Sequence, residues 1–335
     1  MARLVARCPL LVGWLVALAG CSSQTVRLGQ REPKDAGVVV DAPSIDTSIE
    51  PTIDAPAVDA PPVDATADGW AVPEFEVPGL VDLSGGTASD PTLTKDLQEI
   101  YFLSNRSPSD HWDVWFASRP PTSDSFGIPE RISAVSTLDD DKSPAISDDG
   151  QTLWVGRLTT ADAGLGGYDI YQSTRSGTVW QTPTLVADLS SSEDDTPRPL
   201  GNSNQTMPLT SRRAVDASTH LLTFLATRAG SAATFANADI REATELEATG
   251  YNAADAFLTD NGLDIYFTRA ATGSGDIFVA HRATADGTFG KPQALSSSIN
   301  TLDFDERDPF LAADGTLFFA SDRDGSLKIY QARPK

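Results

Sequence analysis

Histidine, methionine and cysteine are scarce in this chain of 335 residues, which has three His, two Met and two Cys. Cys8 and Cys21 both lie near the start, so no intramolecular disulfide staples the remainder, and its stability must come from packing. His111, His220 and His281 are isolated, with no metal-ligand spacing. There is no Gly-x-Ser-x-Gly elbow and no phosphate-binding loop, which removes two common catalytic frames. Basic residues are few as well: 25 Lys and Arg stand against 47 Asp and Glu, a net charge of −22. Such a surface repels nucleic acid, whose binding requires neutralised phosphates, and it repels anionic lipid. Long apolar runs are missing too. The stretch 10–19 is too short for a stable membrane span.

What is present at the start reads as a targeting segment. Arg3 and Arg7 precede the apolar stretch, which ends in Leu18-Ala19-Gly20-Cys21. This run resembles the bacterial lipoprotein signal, or lipobox. The resemblance implies cleavage before Cys21, acylation of its thiol (palmitate among the chains), and anchoring of the mature protein to the cell envelope, since several acyl chains hold where one does not. Ser22, not Asp, follows the cysteine, which for such lipoproteins implies the outer membrane, on its periplasmic face or at the cell surface. Residues 1–20 are therefore expected to be a signal peptide. Residues 21–69 are a different material. Val40-Asp41-Ala42-Pro43 recurs as Ile53-Asp54-Ala55-Pro56 and Val58-Asp59-Ala60-Pro61, and no Lys or Arg occurs from Asp35 to Gly69. Repeated proline and like charge predict an extended, disordered acidic tether.

From Trp70 to Lys335 short apolar runs alternate with Gly, Asp, Ser and Pro turns, the pattern of an all-β chain. One unit repeats. It opens on a turn before a short strand: Asp90-Pro91-Thr92-Leu93, Ser143-Pro144-Ala145-Ile146, Thr196-Pro197, Asp255-Ala256-Phe257-Leu258 and Asp308-Pro309-Phe310-Leu311. An aromatic strand ending near arginine follows, at Arg106, Arg157, Arg228, Arg269 and Arg323. A third strand begins Asp113-Val114-Trp115, Asp169-Ile170-Tyr171 or Asp276-Ile277-Phe278. A fourth starts aromatic-x-x-Pro, as in Phe126-Gly127-Ile128-Pro129, Trp180-Gln181-Thr182-Pro183 and Phe289-Gly290-Lys291-Pro292. The last unit stops before its fourth strand, and the missing copy is expected at the front, in Phe75-Glu76-Val77-Pro78. Four strands per unit, repeated radially, make a β-propeller, here of five blades closed by the N-terminal strand. The third unit is irregular: the stretch 200–215 lengthens its inner hairpin.

These repeats resemble the TolB-type (WD40-like) propeller repeat of bacterial envelope proteins, most clearly at Asn300-Thr301-Leu302-Asp303-Phe304-Asp305-Glu306-Arg307-Asp308-Pro309-Phe310-Leu311 and Gly166-Gly167-Tyr168-Asp169-Ile170-Tyr171. The resemblance covers 70–335. It implies the fold and a non-enzymatic role in docking another envelope protein, and since such propellers often have six blades it leaves six open.

Carboxylates supply the candidate site. Asp140 and Asp141, Asp194 and Asp195, and Asp305, Glu306 and Asp308 precede inner strands, with Asp90 and Asp255 at the same place in the other two units. Equivalent positions in a propeller lie on one ring, so these acids are expected to converge near one mouth of the channel. They could receive a basic protein surface, hold calcium through oxygen ligands, or cap turns. A carbohydrate-binding or glycoside-hydrolysing propeller is the competing class, since hydrolysis needs two carboxylates at a set separation. Beyond calcium no cofactor is implied. Trp112 lies outside the strand motif and is the candidate for stacking on a ligand. Trp115, Trp154 and Trp180 are expected to pack between blades, and each repeated arginine is expected to pair with the Asp of the following strand, as Arg269 with Asp276.

Overall fold

The computed structural model describes residues 69–73, 77–80, 86–106, 111–158, 164–213, 220–271 and 274–335. The signal peptide, Cys21 and nearly all of the tether lie outside the described residues. The described chain belongs to one compact unit. It is a five-bladed propeller built wholly from antiparallel sheets.

Blade one consists of Ala88–Leu93, Glu99–Ser104, Asp113–Ser118 and Glu130–Arg131. Blade two follows with Asp141–Ile146, Thr152–Leu158, Tyr168–Ser176 and Thr184–Leu185. Blade three has Asp195–Pro197, Thr206–Ser211, Leu222–Thr227 and Ile240–Glu242. Blade four has Asn252–Leu258, Asp264–Ala270, Gly275–His281 and Gln293–Ala294. Blade five contributes Glu306–Leu311, Leu317–Ser321 and Lys328–Ala332. Within each blade the strands pair in chain order, so every first strand lines the axis. The links from fourth to first strand and from second to third therefore open on one face, called here the upper face.

The second strands show why the motif is apolar at every position. Ile100, Tyr101 and Phe102 are buried, as are their counterparts Leu153, Trp154 and Val155, and Ile265, Tyr266 and Phe267. A blade packs against a neighbour on each side, so both faces of its sheet leave water and the usual polar alternation is lost. Trp115, Trp154 and Trp180 are buried among these layers, as expected.

The N-terminal segment closes the ring, but in a register five residues earlier than the sequence motif suggested. Trp70 bridges Pro334, the Ala71 amide donates to the Arg333 carbonyl at 2.9 Å, and the Val77 amide donates to the Ile329 carbonyl at 2.9 Å. The same bond joins Gly127 to Ser118 and Gly290 to His281. Trp70-Ala71-Val72-Pro73 is thus the fourth copy of aromatic-x-x-Pro, and Phe75 and Glu76 lie outside the described residues.

Blade three also differs from expectation. Its inner hairpin, 195–211, matches 141–157 in length, and its turn is Asn202-Ser203-Asn204 with all three φ positive (51°, 52° and 63°). Asparagine tolerates that left-handed region better than most residues, which is how the turn forms without Asp-Gly. The link that follows, from Ser211 to its partner Leu222, is no longer than the link from Arg157 to its partner Asp169 in blade two. The arginine in series with Arg157 is accordingly Arg213, not Arg228.

Candidate functional site

Four of the five first strands carry a bulge where they meet the axis. The register slips between Ser89 and Thr92, Lys142 and Ala145, Ala254 and Phe257, and Arg307 and Phe310. The bulged residues Asp90, Ser143, Asp255 and Asp308 all have positive φ, between 50° and 55°. Asp is one of the few side chains at ease there, because its short polar group can bond locally. In blade three the equivalent residue is Pro197. Its ring holds φ near −65°, and Asp195–Pro197 pairs in unbroken register with Leu209–Ser211. The next residue is Arg198.

Arg198 is 2 % exposed and reaches the three bulge carboxylates. Its Nη1 donates to Asp90 Oδ1 and lies 3.7 Å from Asp308 Oδ1 and 3.9 Å from Asp255 Oδ1. The three acids present oxygens within 4.8 Å of one another. Burial alone would lower the Arg198 pKa, but Asp90, Asp255 and Asp308 outweigh it and hold the guanidinium above its ordinary value. The Asp308 carboxyl is raised well above the carboxylate range by burial first, and then by Asp90 and Asp255. Asp255 is raised by burial, with Arg198 opposing. The axis therefore holds a four-group charge knot drawn from blades one, three, four and five, in which burial and the two neighbouring carboxylates favour the neutral form of Asp308.

The other predicted acids serve two different purposes. Asp141, Asp195 and Glu306 are buried and pair with the arginine that ends their own hairpin: Arg157 at 2.6 Å, Arg213 at 2.5 Å and Arg323 at 3.1 Å. The same arginines, with Arg106 and Arg269, each donate Nη2 to a carbonyl of the preceding link: Leu80, Val135, Leu189, Leu246 and Ile299. Arg269 does not pair with Asp276. The two are opposite in register, yet Asp276 is exposed and the Arg269 guanidinium lies over the Phe278 ring, 4.5 Å from its centroid. Asp140, Asp194 and Asp305 clamp neighbouring blades. They accept the backbone N–H of Trp112 (3.1 Å), Tyr168 (3.1 Å) and Gly275 (2.8 Å) respectively. Trp112 itself is half-buried on the upper face. The nine acids thus lie in the same part of the fold without forming one open surface.

Sequence reasoning missed Arg198 and the two cations above it. Lys142 Nζ sits 3.4 Å from the Tyr168 ring centroid, its pKa lowered by burial against the pull of Asp90, Asp194 and Asp255. Arg307 pairs with Asp305. The signal for Arg198 was legible as Pro197-Arg198-Pro199, a long cation directly after an inner strand.

This geometry bears on the two metal and hydrolase readings. Oxygens spread over 4.8 Å match a calcium shell of about 2.3–2.6 Å radius, but Arg198 already supplies the cation. Retaining and inverting glycosidases separate their carboxyl groups by about 5–9.5 Å with room for substrate or water. Here an arginine occupies that room.

No family model matches the sequence, and no curated protein matches it. Solved structures do show likeness. A hypothetical protein from Leishmania major has a TM-score of 0.51 at 11% identity, over 79% of this chain and 91% of that one. A GH62 α-L-arabinofuranosidase catalytic domain from Coprinopsis cinerea has 0.48 at 10% identity, over 80% and 97%. TolB from Acinetobacter baumannii has 0.44 at 14% identity, over 74% of this chain and 54% of that one, so the chain spans about half of that TolB. At such identities the likeness speaks to the propeller fold alone.

The raised pKa of Asp308 sets a pH dependence. A carboxyl whose pKa is higher folded than unfolded (about 3.9 unfolded) stabilises the fold fully below the unfolded value, and that contribution is lost as pH rises through the folded value. Asn at 308 is permanently neutral, tolerates positive φ and can still accept the Asp90 N–H. Asp308→Asn should therefore gain on the wild type as pH rises from 5 to 8 in urea unfolding. Asp90→Asn, which removes the nearest partner of a buried guanidinium, should lose about 3 kcal/mol at both. Equal behaviour of the two variants would exclude the raised pKa of Asp308.

Proposed function

We infer that this chain is a lipid-anchored binding module of the cell envelope, non-enzymatic, which docks a protein partner through the upper face of its propeller. The observation that carries the reading is the set of large apolar side chains standing in water on the upper-face links. Leu302 is 100% exposed, Leu138 85% and Leu165 49%, and Phe304 lies beside them in the link to blade five. Leu138 and Leu302 occupy the same place in two such links. Exposed apolar groups rimmed by polar ones mark interaction surfaces. Glu193, Asp276 and Asp303, all exposed, add negative charge to the same face. The partner surface should be apolar at its centre and basic at its rim, with the charges steering encounter.

The anchor rests on the lipobox-like Leu18-Ala19-Gly20-Cys21, and among the described residues no helix is long and apolar enough to cross a membrane. The carbohydrate-active alternative keeps its three axial carboxylates, yet Arg198 pairs with them and fills the space between them. That is the reason to prefer docking.

The test uses the full chain in its own cell, with a photo-crosslinking residue beside the upper face. Leu138→Ser with Leu302→Ser should abolish a specific crosslinked band and leave the melting temperature nearly unchanged, since exposed positions seldom move stability by more than about 0.5 kcal/mol. Cys21→Ser should release the protein from the membrane fraction and remove its acyl label. A band that survives the double substitution would move the docking site elsewhere. Retention on envelope glycan, unaffected by either change, would put the carbohydrate reading first.

A further inference from the structure

The lower face has a site of its own, independent of the docking reading. At or just beyond the lower ends of the five first strands, Leu93, Ile146, Leu200, Phe257 and the pair Phe310 and Leu311 line an axial vestibule of about 260 Å³. The vestibule is blind. Arg198, 2 % exposed, closes the axis above it. A lining of this kind, contributed by every blade, leaves apolar surface facing a pocket large enough for more than a single ring: a cavity of about 150 Å³ already takes benzene.

The mouth of the vestibule is built for positive charge. Among the described residues Lys95 is the one basic residue lining it, and its ammonium lies 3.6 Å from Asp148 Oδ2 and 3.4 Å from Asp260 Oδ2. These two carboxylates come from blades two and four, and they raise the Lys95 pKa, Asp148 first. Asp148 is further held by the Asn204 side-chain amide at 3.1 Å. All three charged groups are open to water, with side-chain exposures of 57%, 38% and 62% for Lys95, Asp148 and Asp260. Exposed ion pairs of this kind contribute little to stability, so the Lys95 ammonium is held in place weakly. It marks where a cation sits, and it can leave.

We propose that the vestibule binds a small amphipathic cation, an ammonium or guanidinium on an aromatic or short aliphatic body, whose charged head takes the place of Lys95 between Asp148 and Asp260. The body fills the apolar vestibule and loses water; the head meets two carboxylates set across the mouth. An anionic ligand of the same shape meets those carboxylates instead and is rejected. Lys95 then acts as an internal competitor, and its removal should improve binding.

The experiment measures binding of 3-phenylpropylammonium to the full-length protein by calorimetry and by ligand-observed NMR. Two compounds with the same body, 3-phenylpropanol and 3-phenylpropionate, run beside it. Saturable binding of the ammonium is expected, with the carboxylate weaker by about tenfold or more, equivalent to about 1.4 kcal/mol. Lys95→Ala should tighten the ammonium several-fold. Asp260→Asn and Asp148→Asn should each weaken it, and the preference should shrink as salt is raised. Melting curves of these exposed-site variants confirm that each is folded. Equal binding of the ammonium and the carboxylate, indifference to Asp260→Asn, or no saturable binding to wild type and Lys95→Ala alike would each overturn the proposal.

Discussion

Arg198→Met should be among the most damaging single substitutions in the propeller, at a cost of about 3–5 kcal/mol. Met has nearly the length of Arg and no charge, so the void is small and the loss is electrostatic. Removing one partner of a buried ion pair leaves the other charge desolvated and unanswered, and such changes typically carry that cost. Here the abandoned groups are Asp90, Asp255 and Asp308. Part of the cost is relieved by proton uptake, since burial and the neighbouring carboxylates already favour the neutral form of Asp308. The variant should therefore be relatively more stable at pH 5 than at pH 8, with the opposite trend in no neighbouring arginine variant. Calcium separates the metal reading from the salt-bridge reading. Wild type should melt at the same temperature in calcium and in chelator, because the guanidinium holds the place a cation would need. Arg198→Met should gain stability in millimolar calcium, by the amount that binding to the folded state alone confers, since its carboxylate oxygens are already within 4.8 Å of one another. A calcium shift in wild type would show that a metal site exists elsewhere in the molecule.

The propeller was legible in the sequence because all five first strands meet one axis, and residues that meet the same surroundings come to share a pattern. The bulge made the pattern conspicuous. Asp90, Asp255 and Asp308 stand out because few side chains accept a positive φ, and Ser143 is the exception that still fits. The division of labour among the acids was not legible. Asp305, Glu306 and Asp308 are nearly adjacent in the chain, yet one clamps the neighbouring blade, one pairs with Arg323 inside the sheet, and one turns to the axis. Strand alternation and the bulge decide this, and both depend on where pairing begins. The same uncertainty displaced two other assignments. Arg228 looked like the partner of Arg157 because each follows an aromatic strand, but it ends the third strand and lies over Phe235 at 4.7 Å, as Arg119 lies over Phe126 and Arg282 over Phe289. Two arginine series run through the blades, and the sequence spacing alone does not tell them apart.

The closing strand supplies the second large effect. Trp70→Ala should lower stability by about 3–5 kcal/mol, the usual range for removing a buried large aromatic, and for a domain of this size the melting temperature should fall by about 10 °C. Trp70 is buried in the core cluster that joins the last blade to the first and fourth. Its ring meets Tyr266 edge-on at 5.9 Å, and its Nε1 donates to the Gly315 carbonyl at 3.0 Å. Those contacts seat the segment whose Ala71 and Val77 amides bond to Arg333 and Ile329. With no disulfide to hold the ends, loosening it uncovers the edge of Lys328–Ala332, a row of backbone groups ready to pair with another chain. Trp70→Ala should accordingly self-associate below its melting temperature, which light scattering will detect. Trp70→Phe should keep most of the packing and lose the bond to Gly315, for an intermediate loss. The register itself is tested by comparison with Phe75→Ala. If Trp70 is the closing aromatic, Phe75→Ala should be the milder change. The reverse order would restore the register first suggested by the Phe75-Glu76-Val77-Pro78 motif.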